Sequence, residues 1–167
     1  MIIRPYRPAD LGELVVVNDV AYPAVPITPA DELAALVGYS SVALVVEDDA
    51  GAVAGMMLAL SPGRDYQSEN YRWFSARATR LGLGFIYVDR IVLAPHLQGQ
   101  GIGPQLYAAV FDAAREAGAS EVLCEVNVEP PNPGSLAFHA RLGFVEVGRQ
   151  ETKGGANTVA LLAAPVG

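Results

Sequence analysis

Residues 93–107 read LAPHLQGQGIGPQLY, with glycines at the alternate positions 99, 101 and 103. A strand-like apolar run, LGFIYVDRIVLAP, leads into them. Ile102, Leu106, Ala109, Val110, Ala113 and Ala117 follow as one apolar stripe at helical spacing, and Gly118 is the expected stop. The first turn of a helix has N–H groups without intrahelical partners, and the helix dipole adds partial positive charge there. Glycines remove the side chains that would keep an anion away. One glycine is explained by a tight turn alone; three at alternate positions point to a phosphate-bearing ligand. The mononucleotide P-loop is excluded, because Gly103 is followed by Pro104 and Gln105 where that loop needs Lys and Ser or Thr. The dinucleotide fingerprint fails as well, because Pro104 stands where its third glycine belongs, which disfavours a nicotinamide-dependent oxidoreductase.

The chain of 167 residues is long enough for one domain with a real core, and residues 1–167 are expected to form a single domain. It is 51% hydrophobic and 17% charged, which is a globular composition. A net charge of -7 argues against a nucleic-acid partner, but backbone amides can hold phosphate without raising net charge. The single cysteine, Cys124, rules out an internal disulfide framework and suits a reducing compartment. The start, MIIRPYRPADLGEL, lacks the order of a signal peptide, and no apolar run is long enough to span a bilayer. The expectation is a soluble cytoplasmic protein with no membrane partner.

MIIRPYR reads as a strand, and PADLGELVVVNDVAY as a helix with Leu11, Leu14, Val15 and Asn18 on one face. In TPADELAALVGY, Thr28 reads as N-cap, Pro29 as first helical residue and Gly38 as stop. Two apolar runs around EDDAG predict a hairpin. Residues 61–82 mix turn residues, arginines and aromatics, and read as a long loop with a helical turn over 71–78. Beyond the glycines come a strand (SEVLCEVNV), a short helix (SLAFHARLGF) closed by Gly143, and two strands, VEVGRQ and NTVALLAAP. The order β, α, α, β, β, β, α, β, α, β, β predicts an α/β (α+β) domain, a mixed central sheet flanked by helices.

Gln98-Gly99-Gln100-Gly101-Ile102-Gly103, after a strand ending in an apolar-x-Pro segment, resembles the acyl-coenzyme A loop of the GNAT superfamily of N-acetyltransferases. NPGSLAFHARLGF resembles that superfamily's later segment, an asparagine before a short helix ending in Leu-Gly-Phe, and the element order fits nearly the whole chain. YVDRIVLAP, CEVNVEPPNP and NYRWF are similar to a little-characterised bacterial branch of it. The resemblance implies acetyl-CoA as cosubstrate, its pyrophosphate on the amides of the Gln98–Gly103 loop (Gln98, Gly99, Gln100, Gly101, Ile102, Gly103). It further implies the pantetheine arm along Ile91, Val92 and Leu93, and a contact at Asn132. A homodimer is common in such folds. Pro104 departs from the pattern: it lacks an N–H to offer, though it suits an early helical position.

Acetyl transfer to an amine needs a base for the amine proton, donors for the thioester oxygen and an acid for the leaving thiolate. It needs no metal, and no metal-ligand cluster is visible in the sequence. His139 stands where many members of the superfamily carry a tyrosine serving as that acid, and histidine titrates in the right range. Asp89 and Glu125, carboxylates on two central strands, are candidate bases, as is Tyr87. The alternative for each carboxylate is an ion pair with Arg90 or a loop arginine. A main-chain N–H near Leu93 could serve the thioester oxygen. Tyr71, Trp73 and Phe74 could wall an acceptor site, with Arg72 and Arg77 holding an acceptor carboxylate. Aromatics at that spacing are also what a buried helix face looks like. The leading expectation is an enzyme that acetylates a primary amine, of a small molecule or of a protein N-terminus. The alternative is a non-catalytic acyl-CoA-binding module of the same fold.

Overall fold

The computed structural model describes every residue from Met1 to Gly167. In chain order the elements are β1 (Ile2–Pro5), α1 (Leu11–Val20), α2 (Ala30–Tyr39), β2 (Val42–Glu47), β3 (Val53–Leu60), α3 (Glu69–Leu81), β4 (Phe85–Leu93), α4 (Ile102–Glu116), β5 (Glu121–Glu129), α5 (Pro133–Arg141), β6 (Val145–Thr152) and β7 (Asn157–Pro165). The strands form one seven-stranded sheet in the order β1-β2-β3-β4-β5-β7-β6. It is mixed, as predicted: β4 and β5 run parallel, while the β1–β2, β2–β3, β5–β7 and β6–β7 pairs are antiparallel. No helix is long and apolar enough to cross a membrane. The chain gathers into two compact units, Met1–Leu60 with Val88–Val110, and Ser61–Tyr87 with Phe111–Gly167.

In the first unit the predicted hairpin is β2–β3, turned by residues 48–52, where the Asp48 carboxylate accepts from the N–H groups of Ala50 and Ala52. Every residue of β3 is buried, which explains its unbroken apolar sequence VAGMMLAL. Leu14 and Asn18 are the buried positions of α1, and Leu33 and Leu36 those of α2. Two expectations for α2 are corrected. The helix begins at Ala30 with Pro29 as cap residue, and the Thr28 side chain makes no cap. Gly38 lies inside the helix, which ends at Tyr39 with the Ser40 hydroxyl donating to the Leu36 carbonyl.

In the second unit the structure corrects the reading of residues 61–82. A 13-residue helix, α3, replaces the loop with its single turn. The Ser68 hydroxyl accepts from the Tyr71 N–H at its start, and Gly82 closes it at φ +67. Tyr71, Phe74 and Ala78 are its buried face, spaced by 3 and 4 residues. Its Trp73 ring occupies the space that a side chain on Gly148 of β6 would need: a Cβ there would come within 2.6 Å of the indole. The apolar stripe of α4 is Ile102, Leu106, Val110 and Ala114, whereas Ala117 falls outside the helix.

Candidate active site

The glycine loop links β4 to α4 through a short 3-10 turn, Pro95–Leu97. Gly99 and Gly101 both sit at φ +75, and a Cβ at either would meet nothing within 4 Å. These glycines therefore serve backbone conformation and access, since no neighbour competes for the space. The N–H groups of residues 99–103 are not used by the loop's own turn bonds, which end with the Leu97 and Gln98 N–H groups. Side-chain amides hold the loop in place. Gln98 donates to the Leu93 carbonyl (3.2 Å), Gln100 to that of His96 (2.7 Å) and Gln105 to that of Gly101 (3.3 Å). Gln98, Gly99 and Gln100 are exposed, while Ile102 and Gly103 are buried. Pro104 lies in the first turn of α4, where a missing N–H breaks no intrahelical bond. On β4, Val92 is buried and Ile91 and Leu93 are half-buried. His96 is exposed and lies 3.2 Å from Asp48.

Asp89 is committed to an ion pair with Arg90 (2.9 Å), the alternative foreseen for it. Arg90 is itself buried. Its Nη1 donates to the Asn18 side-chain oxygen (2.8 Å) and to the Thr28 hydroxyl (2.9 Å). Asn18 and Thr28 both donate to the Pro26 carbonyl, so one guanidinium ties β4 to α1 and to the segment joining α1 and α2. A planar fork of N–H groups suits this task, and a lysine ammonium would not reproduce it.

Glu125 lies on β5, in the second unit. Its carboxylate accepts from the hydroxyl of the fully buried Tyr87, which lies 2.8 and 2.7 Å from the two oxygens. Tyr87 stacks at tilted angles on Tyr71 and Phe74, with ring centroids 5.6 and 5.7 Å away. Tyr71 and Phe74 are thus core residues, whereas Arg72 is exposed. Arg77 is unavailable to an acceptor, because both its terminal nitrogens bind Glu121 (2.6 and 3.2 Å). Cys124 is buried, as its alternation with Glu125 predicts.

Asn132 caps α5, its side-chain oxygen accepting from the Ser135 N–H at 3.3 Å. His139, in the last turn of α5, is buried with its ring edge-on to Phe138 and Phe144. Its Nδ1 lies 2.7 Å from the Ser135 carbonyl oxygen, which can only accept, so Nδ1 carries the proton. Burial pushes the His139 pKa down and the Ser135 carbonyl offsets part of that fall, which keeps the ring neutral at pH 7. Ser135 was not singled out in the sequence, although the i, i+4 spacing of a hydroxyl residue and a histidine on a short helix was there to see.

Residues 17–144 match the family model described as Acetyltransferase (GNAT) family. The chain belongs to the GNAT acetyltransferases. Among curated GNAT relatives it is similar to phosphinothricin N-acetyltransferase of Streptomyces coelicolor, 42% identical over 60 residues (35% of this chain, 33% of the relative). It is also similar to the N-alpha-acetyltransferase MAK3 of Arabidopsis thaliana, 35% identical over 63 residues (38% of this chain, 32% of the relative). The matched part spans about a third of the length of either relative. One is from a plant, so these matches do not single out a bacterial branch. Over its whole length the GNAT fold is shared with the acetyltransferase yncA of Salmonella typhimurium, solved with its cofactor acetyl-CoA, at a TM-score of 0.68 and 20% identity, covering 100% of this chain and 94% of that one.

Proposed function

We propose that this GNAT protein, residues 1–167 acting as one catalytic domain, transfers an acetyl group from acetyl-CoA to a primary amine. The observation that carries this reading is the loop of residues 99–103, whose uncommitted N–H groups at the head of α4 suit a diphosphate. In this reading those groups bind the pyrophosphate, Ile91–Leu93 receives the pantetheine arm, and the Asn132 amide adds a contact. Glu125, held by Tyr87, takes the proton from the amine directly or through water. The amine nitrogen then bonds to the acetyl carbon as the carbon–sulfur bond breaks; CoA leaves as the thiolate, and the proton that nitrogen sheds on becoming an amide is taken up to give the free thiol. Asp89 is a weaker candidate base, its carboxylate being engaged by Arg90. With Nδ1–H on the Ser135 carbonyl and the ring neutral, His139 is better suited to accepting a proton at Nε2 than to giving one. The relatives' names cover a small-molecule acceptor and protein N-termini, and the acceptor of this chain is a primary amine in one of those two classes.

The test is purified protein with acetyl-CoA and a panel of small amines and short peptides, followed by free-thiol release. Release that requires an amine is expected. Tight acetyl-CoA binding with no release for any amine would leave an acyl-CoA-binding module and overturn the transfer.

A further inference from the structure

A groove of about 630 Å³ lies between α3 and the segment before it, and all its walls belong to the second compact unit. That volume is in the range of small-molecule sites. Tyr66, Tyr71, Leu83 and Phe85 supply its apolar surface, and Arg64 and Arg72 its charge. No Asp or Glu lines it, in a chain with 18 acidic residues against 11 basic ones. Both arginines are exposed and neither has an ion-pair partner, as is also true of Arg7, Arg80 and Arg141, but these two alone line the groove. Of the nearest acids in sequence, Asp65 accepts from the Gln67 amide at 2.7 Å and Glu69 from the Lys153 N–H at 3.1 Å, and neither pairs with an arginine of the groove.

The walls are fixed before any ligand arrives. The Tyr71 hydroxyl donates to the Ser61 carbonyl (2.6 Å) and accepts from the Arg64 N–H (3.1 Å), which pins the 61–64 turn, with Gly63 at φ +81, to α3. Tyr66 packs on Tyr71 with centroids 5.7 Å apart. Along α3 the Ser75 and Thr79 hydroxyls donate to the carbonyls one turn back, so they present acceptor character and leave the arginines as the strong donors. An aromatic surface beside two exposed guanidiniums without ion-pair partners selects an anion with an apolar body.

We propose that this groove is a binding site for an organic anion, a carboxylate or phosphate ester carrying an aromatic or branched apolar group, built from residues none of which belongs to the glycine loop. Its ligand rests against Tyr66, which packs on the buried Tyr71, whose ring in turn contacts Tyr87, the partner of Glu125. Occupancy is therefore positioned to be felt at that pair. The binding claim itself does not depend on acetyl transfer.

Calorimetric and NMR titrations of the whole protein with phenylacetate and with phenyl phosphate test it, with benzyl alcohol as neutral control and every titration repeated under saturating CoA. Expected is binding of at least one anion, tenfold or more tighter than the alcohol, unchanged by CoA, with Tyr66 and Tyr71 resonances moving. The tighter of the two anions identifies the source class. An Arg64→Gln/Arg72→Gln double variant should keep the wild-type melting temperature and bind roughly tenfold more weakly, having lost its charge-assisted hydrogen bonds. Arg64→Lys/Arg72→Lys should fall between the two. Equal binding of the alcohol, no binding by any probe, full affinity in the Gln double variant, or competition by CoA would each overturn the site.

Discussion

The hydroxyl of Tyr87 lies within hydrogen-bond distance of both carboxylate oxygens of Glu125, at 2.8 and 2.7 Å. Tyr87 is buried, whereas Glu125 is half-buried and so reachable by water. The phenolic O–H donates and the carboxylate accepts, so Tyr87 orients Glu125. Glu125→Gln should lower kcat on the order of 100-fold, the usual contribution of a positioned base, with acetyl-CoA affinity unchanged. Tyr87→Phe should cost less, roughly tenfold, since it loosens the carboxylate without removing it. Steady-state kinetics beside calorimetry separates the two steps; an undiminished kcat in the Gln variant would take the base role from Glu125.

Gly101 separates backbone strain from ligand exclusion. At φ +75 with open space around its Cβ position, Gly101→Ala meets no neighbour but forces a left-handed residue, with an expected stability loss of about 1–2 kcal/mol. Gly101→Glu carries that same loss and also points a carboxylate at the proposed phosphate position. Its CoA binding should vanish in calorimetry while its melting temperature matches that of the Ala variant. Equal CoA affinity in the two variants would move the phosphate elsewhere.

Much of this fold can be read without coordinates, because the signals are local. The all-apolar run of β3, the Asp-rich hairpin turn and the glycines before α4 each announce themselves within a dozen residues. What failed was decided at a distance. Thr28 looks like a helix cap, but its hydroxyl accepts from Arg90, 62 residues away in sequence. The helix α3 is obscured because its buried Tyr71, Phe74 and Ala78 are interleaved in sequence with Arg72, Arg77 and Arg80. The residue that makes room for its tryptophan, Gly148, lies on another strand. Glu125 was singled out as a candidate base without its partner, Tyr87, being foreseen. That pairing depends on the parallel register that sets Tyr87 opposite Leu123, which no short window of sequence reveals.

His139 links folding to pH. Its pKa falls below the ordinary 6.5, mainly because burial penalises the charged ring. The unfolded chain therefore binds the proton more readily, and stability must fall as pH drops through about 6.5 toward the folded-state value. Asp10 and Asp48 are also held below their ordinary 3.8, by Arg4 and by main-chain N–H groups respectively, so their stabilising effect is lost only at much lower pH. Urea unfolding between pH 7.5 and 5.5 isolates the histidine window. Wild type should lose stability there with a slope of at most about 1.4 kcal/mol per pH unit, the limit for one proton, and His139→Phe should flatten it. An equally steep slope in the variant would assign the effect to another group.

Arg90 makes the sharpest stability prediction. It is buried on β4, and its donors reach Asp89, Asn18 and Thr28 together. Arg90→Met keeps most of the apolar stem but removes the fork, stripping two buried oxygens of their donor and Asp89 of this counter-charge. Breaking a buried ionic arrangement from one side costs about 3–5 kcal/mol, a large share of a typical domain's total stability. Arg90→Lys restores the charge without the planar geometry and should recover only part of the loss. Because Asn18 and Thr28 are held by that same guanidinium, the α1–α2 segment should loosen with it, and amide exchange across residues 21–29 should quicken in Arg90→Met before the rest of the chain responds. A loss under about 1 kcal/mol in urea, the size expected of a surface pair, would mean that the guanidinium is dispensable to the fold.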